Sequence, residues 1–113
     1  MKILVVDDER TFKSEAAYGH DIVYTETVNG AKFYLAHPNG WDEVWLDHDL
    51  GRDEDGHDLV KWIERLAYQG NLLDVGTFVI HSMNPIGRKR MAEGLRNFYN
   101  VRFVDPTVYM RTV

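Results

Sequence analysis

The sequence contains no cysteine. Disulfide bonds and thiolate metal sites are therefore excluded, and any metal ion must be held by oxygen or imidazole ligands. There is also no apolar run near the roughly 20 residues that a membrane span requires, and the start MKILVVDDER turns acidic too early for a signal peptide. We therefore expect a cytoplasmic protein that does not contact a membrane.

Basic residues are outnumbered, with 13 Lys and Arg against 18 Asp and Glu and a net charge of -5. This balance disfavours indiscriminate binding to a nucleic-acid backbone, which needs a broad basic face. Acidic residues collect at 7–9 and 42–58, whereas basic residues collect in GRKR at 87–90. An acidic chain with one local basic cluster fits a small anionic ligand, free or metal-bound, better than a long polyanion.

The pattern of apolar residues alternates between strand and helix about five times. Residues 1–113 are expected to form one domain, since this length supports a single core. A stripe of Ile86, Met91, Leu95 and Phe98 predicts a helix that Asn84 caps, and Thr27 is placed to cap a helix over 28–36. Apolar runs at 2–6, 21–27, 43–47, 76–82 and 101–105 predict strands, and the spacing from Gly56 to near Gly70 predicts a further helix. The alternation predicts an α/β fold: a parallel five-stranded sheet with helices on both faces.

Polar side chains follow three of these strands where each strand ends. Ligands of open parallel sheets bind beyond the carboxyl ends of the strands, close to the point where strand order reverses. With the order 2-1-3-4-5, the three groups of side chains share one rim. They are Asp7 and Asp8 after the first strand, Asp47, His48 and Asp49 at the third, and His81, Ser82 and Asn84 at the fourth.

Three of the carboxylates are candidate metal ligands. Asp7, Asp8 and Asp47 supply hard oxygen atoms that suit Mg²⁺ or Mn²⁺, and three such groups at one rim repel one another unless a cation neutralises them. The alternative is three solvated acids at strand ends. The stretch Asp53, Glu54 and Asp55 is interpreted as a solvated turn, because acids there suit the start of the following helix.

Asp47, His48, Asp49 and His81 are candidate catalytic residues. Imidazole beside a carboxylate is a common general acid or base near neutral pH. The alternative for both histidines is a structural role in which each ring is satisfied by its neighbours.

The stretch HSMNPIGRKRM, at 81–91, is the candidate phosphate site. Basic residues in the first turns of a helix are unfavourable by themselves, and a bound anion offsets them. Ser82, Asn84, Arg88 and Arg90 are the candidate ligand-binding residues, and the alternative is a basic exposed face.

The acidic pair after strand one, Asp47 at the end of strand three and Ser82 after strand four resemble the receiver domain of response regulators. This resemblance implies a receiver-like (flavodoxin-like) sheet. Two features depart from receivers. Asp105-Pro106 stands where they have a lysine, and TVYMRTV stands where they have a final helix, so that helix is expected to be reduced or absent.

LDHDLG (46–51), GHDLVKWI (56–63) and HSMNPIGRKRM more closely resemble the receiver-derived family of cyclic-phosphate-processing receiver domains. The resemblance implies a nucleotide that bears a cyclic phosphate. It assigns functional positions to Asp47, His48 and Asp49 and to His81, Ser82, Asn84 and Arg88.

We therefore predict a protein that binds and hydrolyses a nucleotide phosphodiester with a divalent metal. The ligand is a small anionic nucleotide, either a cyclic nucleotide or a cyclic-phosphate RNA end. One alternative is a protein that binds and sequesters the cyclic nucleotide without cleaving it. Another is an atypical receiver in which Asp47 is a phosphoacceptor.

Overall fold

The fold is built on short elements that alternate along the chain. The computed structural model describes residues 1–37, 39–50 and 54–113. Pro38, Gly51, Arg52 and Asp53 lie outside the described residues, and Asp53 is the first of the three residues of the predicted turn. In chain order the elements are β1 (Lys2–Val6), β2 (Arg10–Phe12), α1 (Ser14–Ala17), β3 (Asp21–Thr25), α2 (Val28–Ala36), β4 (Trp41–Leu46), α3 (Gly56–Tyr68), β5 (Val75–Ile80), α4 (Pro85–Leu95), β6 (Asn100–Phe103), α5 (Pro106–Tyr109) and β7 (Met110–Thr112).

Five of the strands form one parallel sheet in the order β3-β1-β4-β5-β6. Counted within this sheet alone, the order is 2-1-3-4-5, so the predicted receiver-like fold is confirmed. The central strands β1, β4 and β5 are apolar along most of their length because both of their faces are covered. The carboxyl ends of these three strands, together with the loops that follow them, are called the rim below.

One face of the sheet is covered by three full helices. Leu4 and Val6 of β1 point to this face, where α2, α3 and α4 contribute the remaining core. The predicted caps are present: Thr27 accepts a hydrogen bond from the backbone of Gly30 at the start of α2, and Asn84 accepts one from Gly87 at the start of α4. The α3 helix ends before Gly70, whose φ of +82° favours glycine.

The opposite face is covered by a thinner layer made of α1, α5 and the antiparallel pair β2 and β7. Phe12 of β2 and Met110 of β7 join the core on this face. The ring of Trp45 meets the rings of Phe12 and Tyr109 edge to face, with centroids 4.7 Å and 5.8 Å away. The final helix is reduced to four residues, and the chain then returns as β7 to pair with β2.

One predicted core position is wrong. Ile86 is 74% exposed, whereas Met91 and Leu95 of the same stripe are fully buried. Ile86 lies in the first turn of α4, whose buried residues are Gly87, Met91, Ala92 and Leu95. None of the helices in the described ranges is both long and apolar enough to cross a membrane.

Candidate metal and phosphate site

The three predicted metal ligands converge at the rim. Asp7, Asp8 and Asp47 each bring one carboxylate oxygen within 4.8 Å of the others. The cause is strand register: Val6 lies beside Leu46 in the sheet, so the next residues of β1 and β4 emerge side by side. Asp7 and Asp47 are only 4% and 5% exposed, so their charges are poorly solvated.

Asp7 is the most tightly held of the three carboxylates. Its Oδ1 atom accepts hydrogen bonds from the backbone N–H groups of Glu9, at 2.8 Å, and Arg10, at 3.0 Å. Its Oδ2 atom accepts one from Nε2 of His81, also at 2.8 Å. Burial by itself raises the pKa of Asp7, but these hydrogen bonds to the charged form hold that pKa below its usual range. Asp7 is therefore an anion at neutral pH.

The pKa of Asp47 is shifted in the opposite direction. Burial and the neighbouring charge of Asp7 raise the pKa of Asp47 from 3.8 to about 6, although His81 and Arg10 lower it in part. Its ionised form has fewer compensating groups than that of Asp7. The pair thus contains one carboxylate that is stabilised as an anion and one that requires additional positive charge.

Arg10 lies inside the acidic cluster, and sequence reasoning did not assign it. Its Nη1 atom is 3.5 Å from Oδ2 of Asp7 and 3.6 Å from Oδ2 of Asp47. Arg10 follows Asp7 by three residues and donates its N–H to Oδ1 of Asp7, and its backbone pairs with Thr112 of β7. The sequence signal was present in DDER at 7–10, where one cation follows three acids, but pairing with residues about 100 positions later could not be inferred.

The two candidate catalytic histidines occupy different environments. His81 is fully buried, and its Nδ1 atom meets no hydrogen-bond partner among the described residues. Because its Nε2–H donates to Asp7, the ring orients that carboxylate. A fully buried ring offers no surface to a substrate, so the structure supports a positioning role for His81.

His48 lies on the other side of the rim, toward α3 and α4. Its Nδ1 atom is 3.0 Å from Oδ1 of Asp49, and its Nε2 atom is 3.5 Å from Oδ2 of Asp55. The ring also packs against Gly87, where a side chain would overlap it. The His48 side chain is 13% exposed and that of Asp49 is 67% exposed. The His48 ring is thus slightly exposed, and each of its nitrogens faces a carboxylate.

Strand alternation explains why His48 lies apart from Asp7, Asp47 and His81. Backbone hydrogen bonds continue one residue past each strand, from Asp47 N–H to the carbonyl of Val6 and from His81 N–H to that of Leu46. Side chains of successive residues point to opposite faces. Asp7, Asp47 and His81 therefore share the β2 side of the rim, and His48 lies on the side of the helices.

The candidate phosphate residues are only partly gathered. Ser82 is buried, and its Oγ atom accepts a hydrogen bond from the N–H of Asn84, so both residues shape the entry into α4. Arg88 extends toward β6, with its guanidinium carbon 5.4 Å from the ring centroid of Phe103. Arg90 lies toward α3, where burial and the charges of Arg90 and Lys61 lower the pKa of His57. Arg88 and Arg90 thus face different sides of α4.

A family model described as the cyclic-phosphate processing receiver domain matches residues 2–97. The chain belongs to this family. The match spans every candidate site residue, including Arg10. No curated protein is similar enough to match.

Among solved structures, this receiver domain is similar to a fusion that carries the trimeric coiled coil of yeast Spc42, amino acids 181–211. That likeness has a TM-score of 0.53 and 22% identity, and it covers 91% of this chain and 63% of the solved chain. This receiver domain also matches the N-terminal domain of a response regulator/sensory box/GGDEF 3-domain protein from Carboxydothermus hydrogenoformans. There the TM-score is 0.47 and the identity 22%, over 90% of this chain and 81% of that chain. At such identity the first likeness indicates the fold alone.

Proposed function

We propose that this protein binds a divalent metal ion through Asp7, Asp8 and Asp47. With this metal ion it binds a nucleotide that bears a cyclic phosphate, and it hydrolyses one phosphodiester bond of that phosphate. The observation that carries the proposal is the convergence of the three carboxylates at the rim of a cyclic-phosphate processing receiver domain. Oδ1 of Asp8 is shielded from solvent and meets no hydrogen-bond donor among the described residues. A shielded carboxylate oxygen without a partner is costly, and a bound cation removes that cost.

The donor set fits Mg²⁺ or Mn²⁺. Both ions prefer oxygen ligands and keep some positions for water or phosphate oxygens. Asp7 Oδ1 already accepts two backbone hydrogen bonds, which use both of its lone pairs, whereas Oδ2 accepts one from His81. Oδ2 of Asp7 is therefore the atom of this residue that remains for a metal.

When bound, such a metal polarises a phosphoryl oxygen and lowers the pKa of bound water. In the hydrolysis a water oxygen forms a bond to phosphorus, the P–O ester bond of the ring breaks, and the released oxygen gains a proton. We assign that proton transfer to His48, because Asp49 orients its ring and 13% of the side chain is exposed at the rim. We assign the attraction of the ligand's negative charge to Arg88, near the start of α4.

The decisive experiment is incubation of the purified protein with cyclic mononucleotides, cyclic dinucleotides and RNA with a 2′,3′-cyclic-phosphate end. Each is tested with Mg²⁺, Mn²⁺ or EDTA, and the products are identified by mass spectrometry after denaturation. Metal-dependent phosphomonoester products are the expected result. Intact ligand that stays bound in stoichiometric amount would instead select a sequestering protein. Label transferred to Asp47 from a small phosphodonor would select an atypical phosphoacceptor receiver.

The two histidines provide a sharper test. We expect His48→Asn to lower kcat roughly 10²- to 10⁴-fold, the usual range for a general acid or base, and to leave metal affinity unchanged. His81→Asn is expected to weaken metal binding, since Asp7 loses the bond that orients it. His37→Asn, at the end of α2, is the matched control. Full activity of His48→Asn across pH 5 to 9 contradicts the assigned proton transfer.

A further inference from the structure

Arg10 places a positive charge where the proposed metal ion has to bind. Its Nη1 atom lies between Oδ2 of Asp7 and Oδ2 of Asp47, at 3.5 Å and 3.6 Å. Oδ2 is also the Asp7 oxygen that remains available to a metal. A guanidinium and a divalent cation at the same two oxygens repel each other, so the two cannot occupy this place together.

The contact is of a kind that can be exchanged. Both distances exceed the 2.7–3.2 Å range of a good N–H···O hydrogen bond, so the attraction is mainly electrostatic. The Arg10 side chain is 20% exposed, which leaves it a route outward. Asp8 Oδ1 has no hydrogen-bond donor among the described residues even with Arg10 in place, so the guanidinium does not satisfy all three carboxylates.

The backbone of Arg10, in contrast, is fixed. Its N–H donates to Oδ1 of Asp7, and Arg10 pairs with Thr112 across β2 and β7. The N–H of Val113 also donates to the carbonyl of Glu9. A guanidinium that leaves the carboxylates therefore remains tethered at the rim, within the length of one side chain.

We infer that Arg10 is the resident cation of the acidic cluster, that a divalent metal replaces it there, and that the displaced guanidinium then binds the phosphate of the ligand. The inference rests on the proposed function and assigns to this site a residue that couples metal binding to anion binding. The exchange keeps the charge balanced. Without metal, Arg10 neutralises part of the acidic cluster; with metal, the ion takes over that neutralisation, and the released guanidinium is free to pair with a phosphate.

The test uses isothermal titration calorimetry with Mn²⁺ alone and then with inorganic phosphate in saturating Mn²⁺. Removing the competing charge in Arg10→Gln is expected to tighten Mn²⁺ binding and to weaken phosphate binding, each roughly two- to fivefold, the range for one exchanged ion pair near the surface. Arg10→Lys keeps the charge and is expected to stay near the wild type. Arg111→Gln removes an equal charge from β7, next to β2, and is the matched control.

The outcomes separate this inference from the proposed function. Wild-type binding of Mn²⁺ with unchanged or weaker binding by Arg10→Gln overturns the role of Arg10 and leaves the metal site intact. Absence of Mn²⁺ binding by both proteins overturns the metal site itself, and the inference with it. Tighter Mn²⁺ binding with unchanged phosphate binding overturns the phosphate contact. If Arg10→Gln is unfolded in EDTA, folding on addition of Mn²⁺ supports the exchange, and failure to fold with Mn²⁺ overturns it.

Discussion

Replacing Asp47 with asparagine should stabilise the metal-free protein while removing its response to metal. Asparagine has nearly the same shape, so the change deletes the charge and leaves the packing intact. The pKa of Asp47 is raised to about 6 by burial and by the charge of Asp7. The ionised form of Asp47 therefore lowers the free energy of unfolding of the metal-free protein, and a bound metal ion offsets that loss.

The magnitude and its pH dependence follow from the same pKa. The folded protein holds the proton of Asp47 more tightly than the unfolded chain does, so the wild type loses stability as pH rises from 3.8 to about 6. The loss corresponds to at most about 3 kcal/mol, and solvent screening reduces it to roughly 1–2 kcal/mol. We expect Asp47→Asn and wild type to differ little near pH 4 and the variant to be more stable by that amount above pH 7.

Thermal unfolding in EDTA at pH 4 and pH 8, followed by the same scans with Mn²⁺, measures both effects. The stabilisation at pH 8 corresponds to a rise in Tm of about 4–8 °C for a domain of this size. Mn²⁺ should raise the Tm of the wild type and leave that of Asp47→Asn unchanged. A variant less stable than the wild type in EDTA at pH 8 would refute the reasoning, because Asp47 would then be a stabilising partner of Arg10.

Two glycine substitutions test the close contacts at the rim. At Gly56, an added Cβ overlaps the backbone carbonyl of Asp47, and backbone cannot rotate away as a side chain can. We therefore expect Gly56→Ala to lower the free energy of unfolding in urea by about 2 kcal/mol or more and to weaken Mn²⁺ binding. Unchanged values for both would show that the contact is not tight. At Gly87 an added Cβ overlaps the ring of His48, so Gly87→Ala should displace that ring and lower kcat. Alanine also stabilises the helix by about 0.5–1 kcal/mol relative to glycine, so little stability should be lost. Wild-type turnover of Gly87→Ala would contradict the role assigned to His48.

The sheet and the helix starts were predictable because their signals are local. Buried parallel strands are short and continuously apolar, and Thr27 and Asn84 cap helices through atoms only three residues away. Asp55 was interpreted as part of the turn before α3, and it forms a reciprocal capping box with Asp58. Each of these features needs information from only a few neighbouring residues.

The cover over the second face of the sheet was not predictable in the same way. β2 and β7 have three residues each and lie about 100 positions apart, which is too short for a periodic pattern and too distant for a turn signal. Arg10 belongs to this layer through its pairing with Thr112, and the contact of its guanidinium with Asp47 was not predicted. His81 and His48 show the complementary case. Both follow apolar strands in the sequence, and their different burial, which the sequence does not show, gives them different environments.

The residues that follow the last strand of the sheet lead into the layer that contains Arg10. Asp105 stands there, and its Oδ1 atom accepts hydrogen bonds from the N–H and the hydroxyl of Thr107, which start α5. Lys13 Nζ also donates to the carbonyl of Thr107 and ties this turn to the segment that follows β2. By starting α5, Asp105 lets the chain return as β7, and β7 supports β2. Asp105 therefore helps to build β7, the strand that pairs with β2 and its residue Arg10.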